Sequence, residues 1–158
     1  MDLDDLTEIG KILGYLLPVI IFILVNIFFR KQQEQKRRLM VVRSLLSEIN
    51  HNQKLMEASL FQWQAKKFKT GSWKRNRDKM DYIDQDLHTT LASAYEIAEE
   101  FNREIEAAKT HKSASYLAGI RVDRLREPLA RSRQGLEEWL QLNKGKKEPV
   151  KQGGDLAP

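Results

Sequence analysis

Residues 12–29 read Ile-Leu-Gly-Tyr-Leu-Leu-Pro-Val-Ile-Ile-Phe-Ile-Leu-Val-Asn-Ile-Phe-Phe, 15 of 18 apolar and none charged. No other feature limits the chain so strongly. A helix that is apolar on every side needs a larger protein to bury it than the remaining residues can build. At about 1.5 Å per residue the run reaches roughly 27 Å. That length crosses a bilayer core of about 30 Å when flanking residues snorkel. A cleaved signal peptide would want a basic leader, a shorter apolar stretch and a small-residue cleavage site. Here the leader is acidic, and Phe28-Phe29-Arg30-Lys31 follows the run. The expectation is a retained transmembrane helix over 12–29.

Charge is divided by this run. Asp2, Asp4, Asp5 and Glu8 against Lys11 give residues 1–11 a net charge of −3, whereas 26 Lys/Arg against 18 Asp/Glu give residues 30–158 a net of +8. The overall +5 and the mean hydropathy of −0.55 are averages that conceal the division. Arg30, Lys31, Lys36, Arg37 and Arg38 crowd the exit of the run. The positive-inside rule therefore places the short acidic N-terminus outside and the C-terminal part in the cytosol, in the cell membrane. These five cations, in a stalk over 30–38 without an apolar position, are candidate membrane-surface residues for anionic headgroups. The alternative is a plain stop-transfer flank. Within the run, Gly10-x-x-x-Gly14 and Asn26 are candidate helix-packing positions, and Pro18 either kinks the helix or is tolerated in its early turns.

Three helical stripes follow. Leu39, Val42, Leu46, Ile49, Gln53, Met56, Leu60 and Trp63 repeat at spacings of three and four, as in a heptad seam, and predict a helix to about Lys66. Ile83, Leu87, Leu91, Ala94, Ala98, Phe101, Ile105 and Ala108 form a second stripe, in a helix expected to begin at Trp73 behind Ser72 as N-cap. Leu117, Ile120, Leu125, Leu129, Ser132, Leu136 and Trp139 form a third, interrupted by Pro128, which kinks or divides it. The His111 region is the break between them, and the tail 144–158 lacks core residues and reads as disordered. No strand pattern is present. The fold class is all-α: an N-terminal transmembrane helix, then an antiparallel three-helix bundle or long coiled-coil-like hairpin over 39–143. Short connections favour up-down-up order, which puts the Lys66–Trp73 connection at a tip.

That expected tip is the most unusual cytosolic feature. Residues 63–79 hold seven Lys/Arg and three aromatics. Trp63, Lys66, Lys67, Phe68, Lys69, Trp73, Lys74 and Arg75 form a candidate partner-binding surface, since interleaved cations and rings suit an acidic protein surface or single-stranded nucleic acid. The competing reading is that the rings cap the core while the lysines solvate a turn. A membrane-held domain with no recognised nucleic-acid fold makes nucleic acid the less favoured partner.

Chemistry is harder to find. The lack of cysteine excludes a disulfide scaffold, a thiol nucleophile, an iron–sulfur cluster and a Cys-type zinc site. Glu48-x-x-His51 has the spacing of di-iron bundles, but it occurs once and falls on the outer positions of the heptad register. His88 reads as a surface partner of Asp84. No Gly-rich phosphate loop is present. The expectation is no enzyme, no metal and no cofactor. The N-out anchor, the basic stalk, Glu48-Ile-x-x-Asn52 and Phe68-x-Thr70-x-x-Trp73 resemble small bacterial single-pass membrane proteins with cytosolic helical domains and no assigned role. The resemblance covers residues 10–140 and implies an architecture, not an activity. The function expected is a membrane-anchored helical interaction protein, a scaffold or adaptor that docks a protein partner or self-associates. The alternatives are an accessory subunit of a larger membrane complex, or a binder of anionic lipid or nucleic acid through stalk and tip.

Overall fold

A computed structural model describes residues 3–61, 66–110 and 121–144, with side chains over 16–58, 66–110 and 121–144. The described residues are helical throughout apart from turns and one segment that is neither helix nor strand. Among the described residues four α-helices occur in order: α1 (Leu3–Phe61), α2 (Gly71–Asn76), α3 (Gln85–Thr110) and α4 (Arg126–Lys144). Short 3-10 turns at Arg77–Lys79 and Val122–Leu125 precede α3 and α4. The chain forms two compact units, residues 1–38 and 39–158, and α1 contributes to both.

In the first unit α1 runs through Pro18. Every large apolar side chain from Leu16 to Phe29 is between 46% and 69% exposed. Among the described residues α1 alone is long and apolar enough to cross a membrane. Asn26 is exposed among them, and so are Arg30, Lys31, Lys36 and Arg37 beyond the run. Arg38 is half-buried, its Nε 3.2 Å from Glu34 Oε1 one turn earlier.

In the second unit the core is drawn from all the helices. The α3 stripe is buried in full, Leu87 through Ala108, with Ile83 just before it and Tyr95 added. Leu125, Leu129, Ser132, Leu136 and Leu140 are buried along α4 and its lead-in turn. On α1 the buried face is Val42, Leu45, Glu48, Ile49, Asn52 and Met56. The heptad reading is therefore rotated: Leu39, Leu46 and Gln53 lie at the half-buried edge, and Leu45, Glu48 and Asn52 lie inside. Pro128 neither kinks nor divides α4. It is the third residue of that helix, where its missing N–H has no intrahelical acceptor to lose. α3 and α4 run antiparallel, with Leu87 against Gly135 at one end and Arg124 paired with Glu100 toward the other.

The connection between α1 and α3 departs from expectation. α1 ends at Phe61, not near Lys66, and α3 begins at Gln85, not Trp73. The true N-cap is Asp84, whose Oδ1 accepts the Leu87 N–H at 2.8 Å. Residues 66–84 form a strap: neither helix nor strand over 66–70, then α2, the 3-10 turn and a turn at Met80–Ile83. The strap runs back along α1, since Lys69 meets Asn52 while Ser72 meets Glu48 and Ser44. It also runs antiparallel to α3, since Phe68 meets Asn102, Trp73 meets Tyr95 and Arg77 meets His88. Both helices oppose the same segment, so α1 and α3 point the same way. The up-down-up order is corrected here, and the basic-aromatic stretch lies lengthwise along the unit instead of at a tip. Trp63, Leu60, the Gly10/Gly14 side of α1, the His111 break, Leu117, Ile120 and the tail from 145 lie outside the described side chains.

Candidate interaction surface

A backbone outside helix and strand must find partners for its N–H and C=O groups. Here two asparagines supply them. Asn52, fully buried on α1, accepts the Lys69 N–H at Oδ1 (2.8 Å) and donates from Nδ2 to the Lys69 carbonyl (2.7 Å). Asn102 on α3 does the same for Phe68, at 2.7 and 2.8 Å. The two consecutive residues turn to different helices, so each helix takes one of them.

Glu48 continues the clasp. Its Oε2 accepts the Ser72 N–H at 2.9 Å and its Oε1 the Trp73 N–H at 3.4 Å. These are free N–H groups of the first turn of α2, which the helix cannot satisfy itself. Thr70, at the N-cap position, makes no side-chain cap bond. Ser44 Oγ and Ser72 Oγ lie 2.8 Å apart beside it. Trp73 is buried, stacked on Tyr95 at 5.1 Å between ring centroids with an interplanar angle of 4°, and tilted against His88 at 5.4 Å. Burial, with the Glu48 carboxylate next to it, pushes the Tyr95 phenol well above its ordinary range, so it is a neutral phenol. Phe68 is buried against Phe101, with centroids 6.1 Å apart.

The eight residues proposed for binding thus separate by chemistry. Phe68 and Trp73 are withdrawn into the core, Trp63 lies outside the described residues, and Lys66, Lys67, Lys69, Lys74 and Arg75 are exposed. Two of the cations reach back to α3. Lys67 pairs with Glu106, whose carboxyl it holds below the usual carboxylate range, and Lys74 Nζ lies 3.3 Å from Glu99. Lys66, Lys69 and Arg75 make no ion pair among the described residues. Among its described residues this surface offers to solvent cationic charge, with Phe68 and Trp73 turned inward.

The structure adds the residues that hold the strap: Glu48, Asn52, Asn102 and Tyr95. The outward position inferred for Glu48 is corrected. It is buried because the strap lies over it, while His51, three residues on, is exposed. The signal was present in two motifs already noted, Glu48-Ile-x-x-Asn52 and Phe68-x-Thr70-x-x-Trp73, whose residues meet one another. Among the described residues no group of three or more metal-ligating side chains comes together. Comparison with models of protein families, with curated proteins and with solved structures gives no match.

Proposed function

We propose that this chain is a single-pass, membrane-anchored helical interaction protein, N-terminus outside and helical unit in the cytosol, that performs no catalysis and docks a protein partner or a second copy. The observation that carries this reading is the ring of exposed apolar side chains from Leu16 to Phe29, closed by basic residues at one end. Such a surface is stable in lipid and costly in water. The buried Glu48 and Asn52 side chains are occupied in holding the strap, which supports a scaffolding role over a chemical one. Crosslinking in native membranes, followed by identification of the products, tests it. The expected result is a reproducible protein adduct of a carbonate-resistant membrane protein. Release by carbonate, or a chain that crosslinks to nothing, overturns it.

A second reading, an accessory subunit of a larger membrane complex, is favoured by Asn26. Its amide is exposed on an otherwise apolar surface, where a hydrogen bond to a partner helix is its best use. Under this reading Asn26→Leu weakens co-purification of the complex, and undiminished recovery counts against it.

A further inference from the structure

Asn26 is the one polar side chain between Leu16 and Phe29. It is exposed, and it makes no side-chain hydrogen bond among the described residues. The apolar run is shorter than a bilayer core, roughly 27 Å against about 30 Å. Its ends therefore lie at the boundaries of the core, and Asn26, one helical turn before Arg30, lies inside the hydrocarbon. An asparagine side chain is too short to snorkel past that turn as a lysine does. An unpaired amide at that depth is costly. Spacing defines the face on which it stands. Val19, Phe22, Asn26, Phe29 and Gln33 recur at intervals of three and four, which lines them along one side of α1, and all five are exposed. Gln33, one heptad on, repeats the amide at the start of the stalk. Leu24 and Phe28 lie about 160° round from Asn26, on the opposite side.

We propose that this face pairs, in parallel, with the same face of a second copy of the chain, the two Asn26 amides bonding to each other. The proposal rests on the membrane-anchored reading above and names the partner of the span. Three properties select a second copy. An amide carries both donors and an acceptor, so two of them satisfy each other, whereas a cation or a carboxylate needs its opposite. Copies inserted by the same flanking charges share orientation and depth, so the one polar group of the described span meets its equal at the same level. An asparagine in an otherwise apolar heptad seam is the arrangement that fixes register in parallel two-stranded coils. Arg30 and Arg37 fall on the same side of α1 beyond the run and repel their copies, which confines close contact to the span.

The native chain has no cysteine, so single cysteines report contacts between copies. Full-length protein carrying Phe22→Cys, Phe29→Cys, Leu24→Cys or Phe28→Cys is reconstituted into phosphatidylcholine vesicles and oxidised with copper phenanthroline. A disulfide needs Cα atoms about 4.4–6.8 Å apart, which only facing positions reach when helix axes are about 8–10 Å apart. The expected result is a disulfide-linked dimer from positions 22 and 29 and none from 24 and 28. Asn26→Leu, added to Phe22→Cys, lowers the association constant about tenfold, read by diluting the vesicles with lipid. Asn26→Gln, which keeps the amide, retains the dimer, and unchanged circular dichroism shows that the fold persists. Equal crosslinking at all four positions, or a Phe22→Cys dimer indifferent to Asn26→Leu, overturns the proposal. So does a face that crosslinks in native membranes only to a different protein, which assigns it to the accessory-subunit reading. Carbonate extraction separates the pairing from the anchor. A chain that stays in the vesicles and forms no disulfide at positions 22 and 29 overturns the pairing alone, whereas one that washes out overturns the anchor and the pairing with it.

Discussion

Asn52 and Asn102, fifty residues apart in sequence, grip consecutive residues of one non-helical segment from two different helices, each by two hydrogen bonds of 2.7 or 2.8 Å. Together they do for the strap what two flanking strands do for a central one. Asn52→Ala leaves both backbone groups of Lys69 without their partners and a gap at a fully buried position of α1, and should cost about 2 kcal/mol. Asn102 is half-buried, so water replaces part of what Asn102→Ala removes, and about 1 kcal/mol is expected. Urea unfolding of the two variants in detergent measures both. Equal and negligible losses would show that the strap is not held this way.

Glu48 holds the first turn of α2 through two charge-assisted bonds. Glu48→Gln keeps one acceptor oxygen but turns an amide N–H toward a second donor, and should cost about 2 kcal/mol. Glu48→Ala should cost more and release Trp73 from its stack. The near-ultraviolet circular dichroism of Trp73 against Tyr95 reports this, and an unaltered signal in Glu48→Ala would contradict it.

Tyr95 predicts an alkaline limb. Its phenol ionises above the ordinary value of 10.0 in the folded chain, chiefly through burial and then through the Glu48 carboxylate. Below pH ~10 both states are protonated and its contribution to stability is complete. Above it the unfolded chain loses the proton first, so stability falls by about 1.4 kcal/mol per pH unit from this group. Tyr95→Phe should remove that component while changing neutral-pH stability by less than about 1 kcal/mol. The check is the difference between the two unfolding curves from pH 8 to 12.

Ser132 is fully buried on α4, and its hydroxyl finds no partner among the described residues. Ser132→Ala deletes an unsatisfied polar atom and improves helix propensity. Stability should rise by about 1 kcal/mol, read as a higher denaturant midpoint at constant slope. A fall would mean that the hydroxyl is paired in solution.

Periodicity found what depends on local spacing. The α3 stripe, Leu87 to Ala108, is the buried set almost without change, since one apolar face serves one core. It placed α1 less well, because a third of that helix's buried face, Glu48 and Asn52 among six residues, is polar. Glu48 and Asn52 look like solvent residues until the strap supplies their partners, and those partners lie at the far end of a loop. The direction of α3 was hidden for the same reason. A stripe defines which face is buried but not which way the helix runs, and a connection of 23 residues between Phe61 and Gln85 can return as well as turn. Among the site residues, the exposure of the lysines followed from charge. The inward turn of Phe68 and Trp73 needed Phe101 and Tyr95, which no local pattern relates to them.

The strap also sets an order of assembly. α1 leaves the ribosome first, presenting Glu48 and Asn52 with nothing to bind. The partner of Asn52 arrives 17 residues later, and Phe68 in turn waits a further 34 for Asn102. A nascent chain stopped before residue 102 therefore displays an unclosed polar seam next to Leu45 and Ile49. Until α3 has been made, the part of α1 that belongs to the second unit is a natural client for chaperones.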